Sequence, residues 1–175
     1  MCMKKLLSIS LAATFFALMA GCSPSFNWRE VQGADPSYTV LFPAKPSSHS
    51  RNVDLNGLNV SMNMTAAETE DINFAVASAK IEDEAQRNTA LLAMQKAMLQ
   101  NIRGEIVQQK LITQKDGTTM TEIHATGVVA NGRRINLYAR FAIINAYVLQ
   151  VVALGPQEKL NTEIADTFLS SFIAR

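Results

Sequence analysis

Three short turn signals constrain the fold of this chain more than any other feature. Asn-Gly and Asp-Gly dipeptides accept the positive φ angles that a two-residue hairpin turn requires at both of its central positions. Each dipeptide lies between stretches rich in apolar and β-branched residues, so each predicts a pair of antiparallel strands. The three are Asn56-Gly57 between residues 53–55 and 58–67, Asp116-Gly117 between residues 106–114 and 118–130, and Asn131-Gly132 between residues 118–130 and 133–144.

Two helical patterns interrupt and follow the strands. Residues 83–103 have apolar residues at helical spacing, with Asp83 as a cap at the start and Gly104 at the end. A second pattern runs from Pro156 to about residue 173. The apolar positions are Leu91, Met94, Met98 and Ile102 in the first, and Leu160, Ile164, Phe168 and Phe172 in the second. With further strands at residues 38–42 and 72–81, this order predicts an α+β domain, an antiparallel sheet flanked by two main helices.

The first 22 residues have the organisation of a bacterial lipoprotein precursor. Lys4 and Lys5 precede an apolar run at residues 6–20, shorter than the ~20 residues that a membrane span needs. Met19-Ala20-Gly21-Cys22 resembles the lipobox, where such precursors are lipidated on cysteine and cut just before it. The resemblance implies a signal helix at residues 1–21, lipid on Cys22 and a location in the cell envelope. Ser23 after the cysteine implies sorting to the outer membrane, facing the periplasm, in preference to the alternative, retention at the inner membrane.

Residues 22–37 contain two prolines, a glycine and small polar residues, which predicts a tether between the anchor and a single domain at residues 38–175. If the tether is flexible, its root-mean-square reach is about 20 Å. Phe26 and Trp28 lie within it, and we expect both aromatic side chains to pack on the domain.

Two short motifs bracket the domain and resemble a known fold. Residues 38–46, Tyr-Thr-Val-Leu-Phe-Pro-Ala-Lys-Pro, are similar to the strand and Phe-Pro-x-x-Pro opening of many small bacterial lipoproteins. Residues 165–172, Ala-Asp-Thr-Phe-Leu-Ser-Ser-Phe, are similar to their Phe-x-x-Ser-Phe final helix. These proteins resemble the PsbP-like fold, whose members are mostly accessory or binding proteins. The resemblance therefore implies an antiparallel sheet flanked by helices, and a binding function.

Cleavage before Cys22 leaves no free thiol, because Cys2 is lost with the signal peptide. Disulfides, thiolate metal sites and a cysteine nucleophile are then excluded. Removing Lys4 and Lys5 from the 16 basic residues leaves 14 against 15 acidic ones. Such a near-neutral balance argues against nucleic acid as a partner, because a basic excess supplies most of that affinity.

The sequence has no recognisable catalytic or metal-binding constellation. Neither of the 2 histidines has a second histidine or a carboxylate at metal-ligand spacing. A two-residue turn at Asn131-Gly132 places His124 opposite Ala139 as a structural residue, and His49 lies among serines. The two acidic clusters before and after residues 72–81 are separated by a strand of ~30 Å, so they cannot share an ion. We predict that the protein is not an enzyme and holds no cofactor or metal.

The best candidate binding surface is one face of the strand at residues 133–144. Strand alternation places Arg134, Asn136, Tyr138 and Arg140 opposite a plainly apolar face. Guanidinium groups and tyrosines are enriched at binding surfaces, so we predict an open, partner-binding face. The alternative is that a helix covers this side, in which case the arginines must be paired, because an unpaired buried charge is costly.

Two function classes fit the sequence. The first is a lipid-anchored accessory or binding module without enzyme activity, which contacts the membrane through lipid on Cys22 and binds an envelope protein. The second is a carrier or sensor of a small apolar or lipid ligand, held between the sheet and the first helix. Methionines suit an adaptable pocket, and the candidates are Met62, Met64, Met94, Met98 and Met120.

Overall fold

A computed structural model describes residues 25–175, which form ten strands and two helices. The predicted signal helix at residues 1–21, the predicted lipidation site Cys22 and the predicted sorting residue Ser23 lie outside the described residues. The elements in chain order are β1 (Arg29–Ala34), β2 (Ser37–Phe42), β3 (Ser47–Asp54), β4 (Asn59–Thr69), β5 (Ile72–Lys80), α1 (Glu84–Asn101), β6 (Glu105–Thr113), β7 (Thr119–Val128), β8 (Arg134–Ile144), β9 (Tyr147–Pro156), α2 (Thr162–Ser171) and β10 (Ile173–Ala174).

Seven strands form one antiparallel sheet in the order β3-β4-β5-β9-β8-β7-β6, and β1-β2-β10 form a small second sheet. α1 packs over β8 and β9 on one face of the large sheet. α2 and the small sheet cover the other face, where Phe42, Phe74, Phe168 and Phe172 belong to one buried cluster. This arrangement confirms the predicted α+β class, with antiparallel strands and two helices.

The three predicted turns differ in length. Asn56-Gly57 is a two-residue turn with φ angles of 60° and 88°, and Leu55 N–H donates to Leu58 O across it. At Asn131-Gly132 the bond instead runs from Val129 N–H to Arg133 O, so the loop has three residues. Asp116-Gly117 also lies in a three-residue loop, closed by Gln114 N–H and Thr118 O. Three-residue hairpin loops likewise use glycine in the left-handed region, so the dipeptide alone does not fix the length.

The predicted start of the first helix is correct, whereas the predicted start of the second helix is wrong. Asp83 caps α1 by accepting a hydrogen bond from Ala85 N–H at 3.0 Å. α2 begins at Thr162 rather than at Pro156, because Pro156 is the last residue of β9 and pairs with Ile135. The cap of α2 is Asn161, whose side-chain oxygen accepts from Ile164 N–H at 2.9 Å.

The tether predicted at residues 22–37 is wrong in its second half. β1 lies within it and pairs with β2 from Arg29 opposite Phe42 to Ala34 opposite Ser37. The packing of the two aromatic residues is confirmed, because Phe26 and Trp28 both contact the ring of Phe74. The residues of β1 are too polar for their alternation to predict a strand. The strand is stabilised instead by its backbone pairing with β2. Across residues 25–175, neither helix has the length and apolar character needed to cross a membrane.

Candidate binding surface

The predicted binding face on β8 is covered, so the open interpretation is wrong. Asn136, Tyr138 and Arg140 are 7%, 9% and 8% exposed beneath α2. Asn136 Nδ2 donates to Leu160 O at 2.9 Å, and the Tyr138 hydroxyl lies 3.3 Å from Thr162 Oγ1. Of the four predicted residues only Arg134, the first residue of β8, is exposed.

Arg140 is buried with all three guanidinium nitrogens hydrogen-bonded. Its Nε donates to Glu122 Oε2 at 2.7 Å, and its Nη1 donates to the Leu169 carbonyl at 2.6 Å. Nη2 donates to Ser170 Oγ at 3.3 Å. The guanidinium therefore joins β7, β8 and the last turn of α2, where a positive charge is favoured by the helix dipole.

Glu122 balances two cations in this network. Burial alone would raise the pKa of Glu122, but hydrogen bonds from Lys110 and Arg140 outweigh burial and hold that pKa below its ordinary value. Lys110 Nζ lies 2.9 Å from Glu122 Oε1, and its side chain is about half exposed. The group is a structural ion pair with charge-assisted hydrogen bonds rather than a free binding site.

His124 belongs to the same covered face, contrary to the prediction that it lies opposite Ala139. Its partner on β8 is Tyr138, and the two rings stack with centroids 4.3 Å apart. The three-residue loop before β8 shifts the pairing by one residue. In a sheet a one-residue shift moves a side chain to the opposite face.

One edge strand of the large sheet is β6, which sequence reasoning did not single out as a site. Every residue of β6 except Ile112 is exposed, and no strand within residues 25–175 lies beside its outer backbone edge. Leu111 and Val107 are 73% and 61% exposed, and Ile106 is also exposed. The apolar residues of β6 are visible in the sequence. They indicate an exposed apolar edge only once the strand order shows that β6 lies at the edge of the sheet.

The opposite edge, β3, has a different character. Its sequence, Ser-Ser-His-Ser-Arg-Asn-Val-Asp, is polar, and two of its serines hydrogen-bond across to β4. Ser48 Oγ lies 2.8 Å from Thr65 Oγ1, and Ser50 Oγ donates to Asn63 at 2.6 Å. Polar and charged side chains on an edge strand oppose pairing with other chains, and β6 has fewer of them.

α1 sits shallowly on its face of the sheet. Only Ala90 and Met94 are fully buried on this helix, and Leu92 is 65% exposed. Met62, Met64, Met94 and Met98 lie in or against the cluster beneath α1, but Met120 lies in the cluster beneath α2. The five methionines therefore do not line one pocket.

The two acidic clusters lie at a hairpin tip and at the start of α1. Glu70 and Asp71 form the β4–β5 turn with φ angles of 53° and 60°. Asp71 accepts hydrogen bonds from Lys159 at 2.8 Å and Arg133 at 3.1 Å. Between residues 25 and 175, no three His, Cys, Asp or Glu side chains are grouped as metal ligands.

Comparison with known proteins identifies the fold. No family model and no curated protein matches the chain. The solution structure of cyanobacterial PsbP (CyanoP) from Synechocystis sp. PCC 6803 aligns with TM-score 0.56 and 15% identity, over 90% of this chain and 99% of that one. The crystal structure of PA94 from Pseudomonas aeruginosa, a protein of unknown function, aligns with TM-score 0.40 and 13% identity over 64% of this chain and 86% of that one. At these identities the likeness concerns architecture alone, and the chain has a PsbP-like fold.

Proposed function

We propose that this chain is a lipid-anchored cell-envelope protein that acts as a non-enzymatic binding module for another envelope protein. The lipobox-like Met19-Ala20-Gly21-Cys22 supports lipidation on Cys22, and Ser23 supports a position on the outer membrane facing the periplasm. Two or more acyl chains hold a protein stably on a bilayer, whereas one holds it marginally. The module would be delivered to the membrane surface by the anchor and would bind its partner with the folded domain.

The observation that supports partner binding is the exposed apolar edge strand β6. An extended segment of a partner can add to such an edge, with main-chain hydrogen bonds for affinity and side-chain contacts for selectivity. Leu111 and Val107 offer apolar contacts on this strand, because both side chains are largely exposed. We propose an extended polypeptide segment of the partner as the ligand of β6.

The experiment is photo-crosslinking from native membranes with a benzophenone amino acid at Leu111, compared with the same group at Asn52 on β3. Both positions are exposed on edge strands, so Asn52 is a matched control. We expect a discrete adduct from Leu111 and none from Asn52. The Leu111 adduct should disappear when Val107→Lys is added on the same strand, and it should persist when Asn52→Lys is added on β3. Equal adducts from both edges, or none from Leu111, would contradict the proposal.

Carriage of a small apolar ligand beneath α1 is the second candidate function. The shallow seating of α1 favours it, because Leu91, Met98 and Leu99 are only partly buried there. Native mass spectrometry of protein extracted from membranes separates the two functions. A carrier should retain a lipid-sized mass beyond its own acyl chains, and Met98→Trp should reduce that retention. A binding module should have the mass of the acylated chain alone.

A further inference from the structure

The first described residues, from Ser25 onward, contact one end of the large sheet. Thr69 Oγ1 donates a hydrogen bond to the Ser25 carbonyl at 2.8 Å. Phe26 and Trp28 stack on each other with centroids 5.7 Å apart, and both meet the ring of Phe74 edge-on. The polypeptide is therefore held to the sheet from Ser25 onward.

Cys22 is only three residues before this fixed point. An extended chain covers at most about 3.6 Å per residue, so the Cα atoms of Cys22 and Ser25 lie within about 11 Å of each other. That limit is about half of the reach expected for a tether extending to residue 37. Lipid on Cys22 would hold the sheet end that carries Ser25 close to the headgroup layer.

We call this end of the large sheet the anchor end, and the strand register determines what else lies there. Asn73 near the start of β5 pairs with Leu154 near the end of β9. The end of β9 pairs with the start of β8, and Arg134 in turn pairs with Val128 at the end of β7. The anchor end comprises the β4–β5 and β7–β8 turns, the segment after β9 and the C-terminal end of α1.

Two arginines at the anchor end are available to an anion. Arg103 and Arg134 are exposed and line one concavity of about 300 Å³, which Glu105 and Gln157 also line. Neither arginine forms an ion pair with another residue of the 25–175 range. Guanidinium groups bind phosphate oxygens through paired hydrogen bonds, so two of them in one concavity suit a phosphate.

We propose that the anchor end lies against the bilayer surface and that Arg103 and Arg134 contact the phosphates of anionic phospholipid headgroups. The inference rests on the proposed lipid anchor at Cys22. It gives the domain one orientation, with the strands of the large sheet directed away from the membrane. The edge strand β6 then runs outward from the membrane surface, where its length is accessible to a partner.

Energy transfer to a headgroup-labelled lipid tests the orientation. The full acylated chain is placed in phosphatidylcholine vesicles containing phosphatidylglycerol, with a fluorophore on Glu158→Cys at the anchor end or on Lys115→Cys at the far end. Strands of about ten residues separate the ends by about 33 Å, so we expect efficient transfer from Glu158→Cys and weak transfer from Lys115→Cys. Equal transfer from the two labels, with Cys22 acylated, would overturn the inference and leave the proposed function intact. An intact mass without acyl groups on Cys22 would refute both.

A lengthened linker tests the headgroup contact. Twelve Gly and Ser residues inserted after Ser23 remove the short constraint, so orientation then depends on the domain surface alone. We expect transfer from Glu158→Cys to persist on phosphatidylglycerol vesicles and to fall severalfold on phosphatidylcholine vesicles or at high salt, because exposed charges are screened. Arg103→Gln with Arg134→Gln should give the low value, whereas Arg51→Gln with Lys115→Gln removes two cations elsewhere and should not. Loss of transfer in both double variants, or in neither, would overturn the role of the two arginines.

Discussion

α2 and the small sheet cover one face of the large sheet with aromatic side chains, whereas α1 covers the other face mainly with aliphatic ones. The α2 face holds Phe42, Phe74, Phe168 and Phe172, each without exposed surface, and the buried Arg140 network. The α1 face has one phenylalanine, Phe141, and a helix with two fully buried residues. The comparison indicates that the α2 face carries most of the stability and that the α1 side is more easily deformed.

The difference begins in the two helical sequences. In α2 the apolar residues form one narrow stripe, and Ala165, Phe168 and Leu169 are buried. In α1 the apolar residues are spread around the helix, so Leu92 points to solvent while Met94 points to the sheet. A narrow stripe packs deeply against one surface, whereas a spread one leaves apolar groups exposed.

Phe168→Ala should have the largest effect on stability. Phe168 contacts the rings of Phe42 and Phe74 and has no exposed surface. Truncation of a buried phenylalanine costs about 4 kcal/mol of unfolding free energy, because it removes buried apolar surface and leaves a cavity. Urea unfolding should give that loss, while the control Leu92→Ala on α1 should stay within about 0.5 kcal/mol of the parent. Equal losses for the two variants would remove the distinction between the faces.

Arg140→Ala should have the second-largest effect, a loss of about 3 kcal/mol of unfolding free energy. The substitution leaves Glu122 partly buried and paired with Lys110 alone. Arg134→Ala is the matched control on the same strand and should stay within about 0.5 kcal/mol. Replacing Arg140 and Glu122 together with leucine should recover much of the loss, since both charges are then absent. A stable Arg140→Ala variant would restore these residues as candidates for a binding surface.

Met94→Ala should cost less than either change on the α2 face. Met94 is the largest fully buried side chain of α1, and truncation of a buried methionine costs about 2 kcal/mol where the surroundings can collapse. Met98→Ala, one turn along and partly exposed, should cost about half as much. Thermal unfolding of the two variants gives the comparison, and a loss at Met94 equal to that at Phe168 would contradict a shallow α1 face.

Acid should weaken the α2 face through Glu122, with the smallest of these effects. The folded pKa of Glu122 lies below its ordinary value of 4.5, so its ionisation contributes stability that is fully present above pH 4.5. That contribution is lost as the pH falls through the folded pKa. Glu122→Gln should therefore reduce the slope of unfolding free energy against pH below 4.5, measured by urea titration between pH 3 and pH 7. An unchanged slope would assign acid sensitivity to other carboxylates.

The fold class was predictable because turn chemistry and helix periodicity are local signals. Asn56-Gly57 and the Asp83 cap act over a few residues, and both were read correctly. β9 was not predicted, although it is the central strand with nearly all residues buried. A continuous apolar run lacks the alternation that marks a half-buried strand. One of the two strands beside β9, β5, is also distant from it in sequence.

An error of one residue in the predicted register of β7 and β8 prevented the buried ion pair from being predicted. With a two-residue turn at Asn131-Gly132, Glu122 lies opposite Phe141, and Arg140 has no carboxylate facing it. The observed three-residue loop places Glu122 opposite Arg140. The sequence also did not indicate that α2 packs over this face, because that contact joins residues about 30 positions apart. The placement of α2 thus turned the predicted surface into core, and the length of the loop decided which residue of β7 faces Arg140.

Native-state amide hydrogen exchange tests most directly the claim that stability is concentrated on the α2 face. Amides open locally in proportion to the stability of the structure around them. We predict the slowest exchange in β8, β9 and α2, intermediate exchange in α1 and the fastest exchange of any large-sheet strand in β6. Slower exchange in α1 than in α2, or protection of β6 equal to that of β9, would contradict the claim.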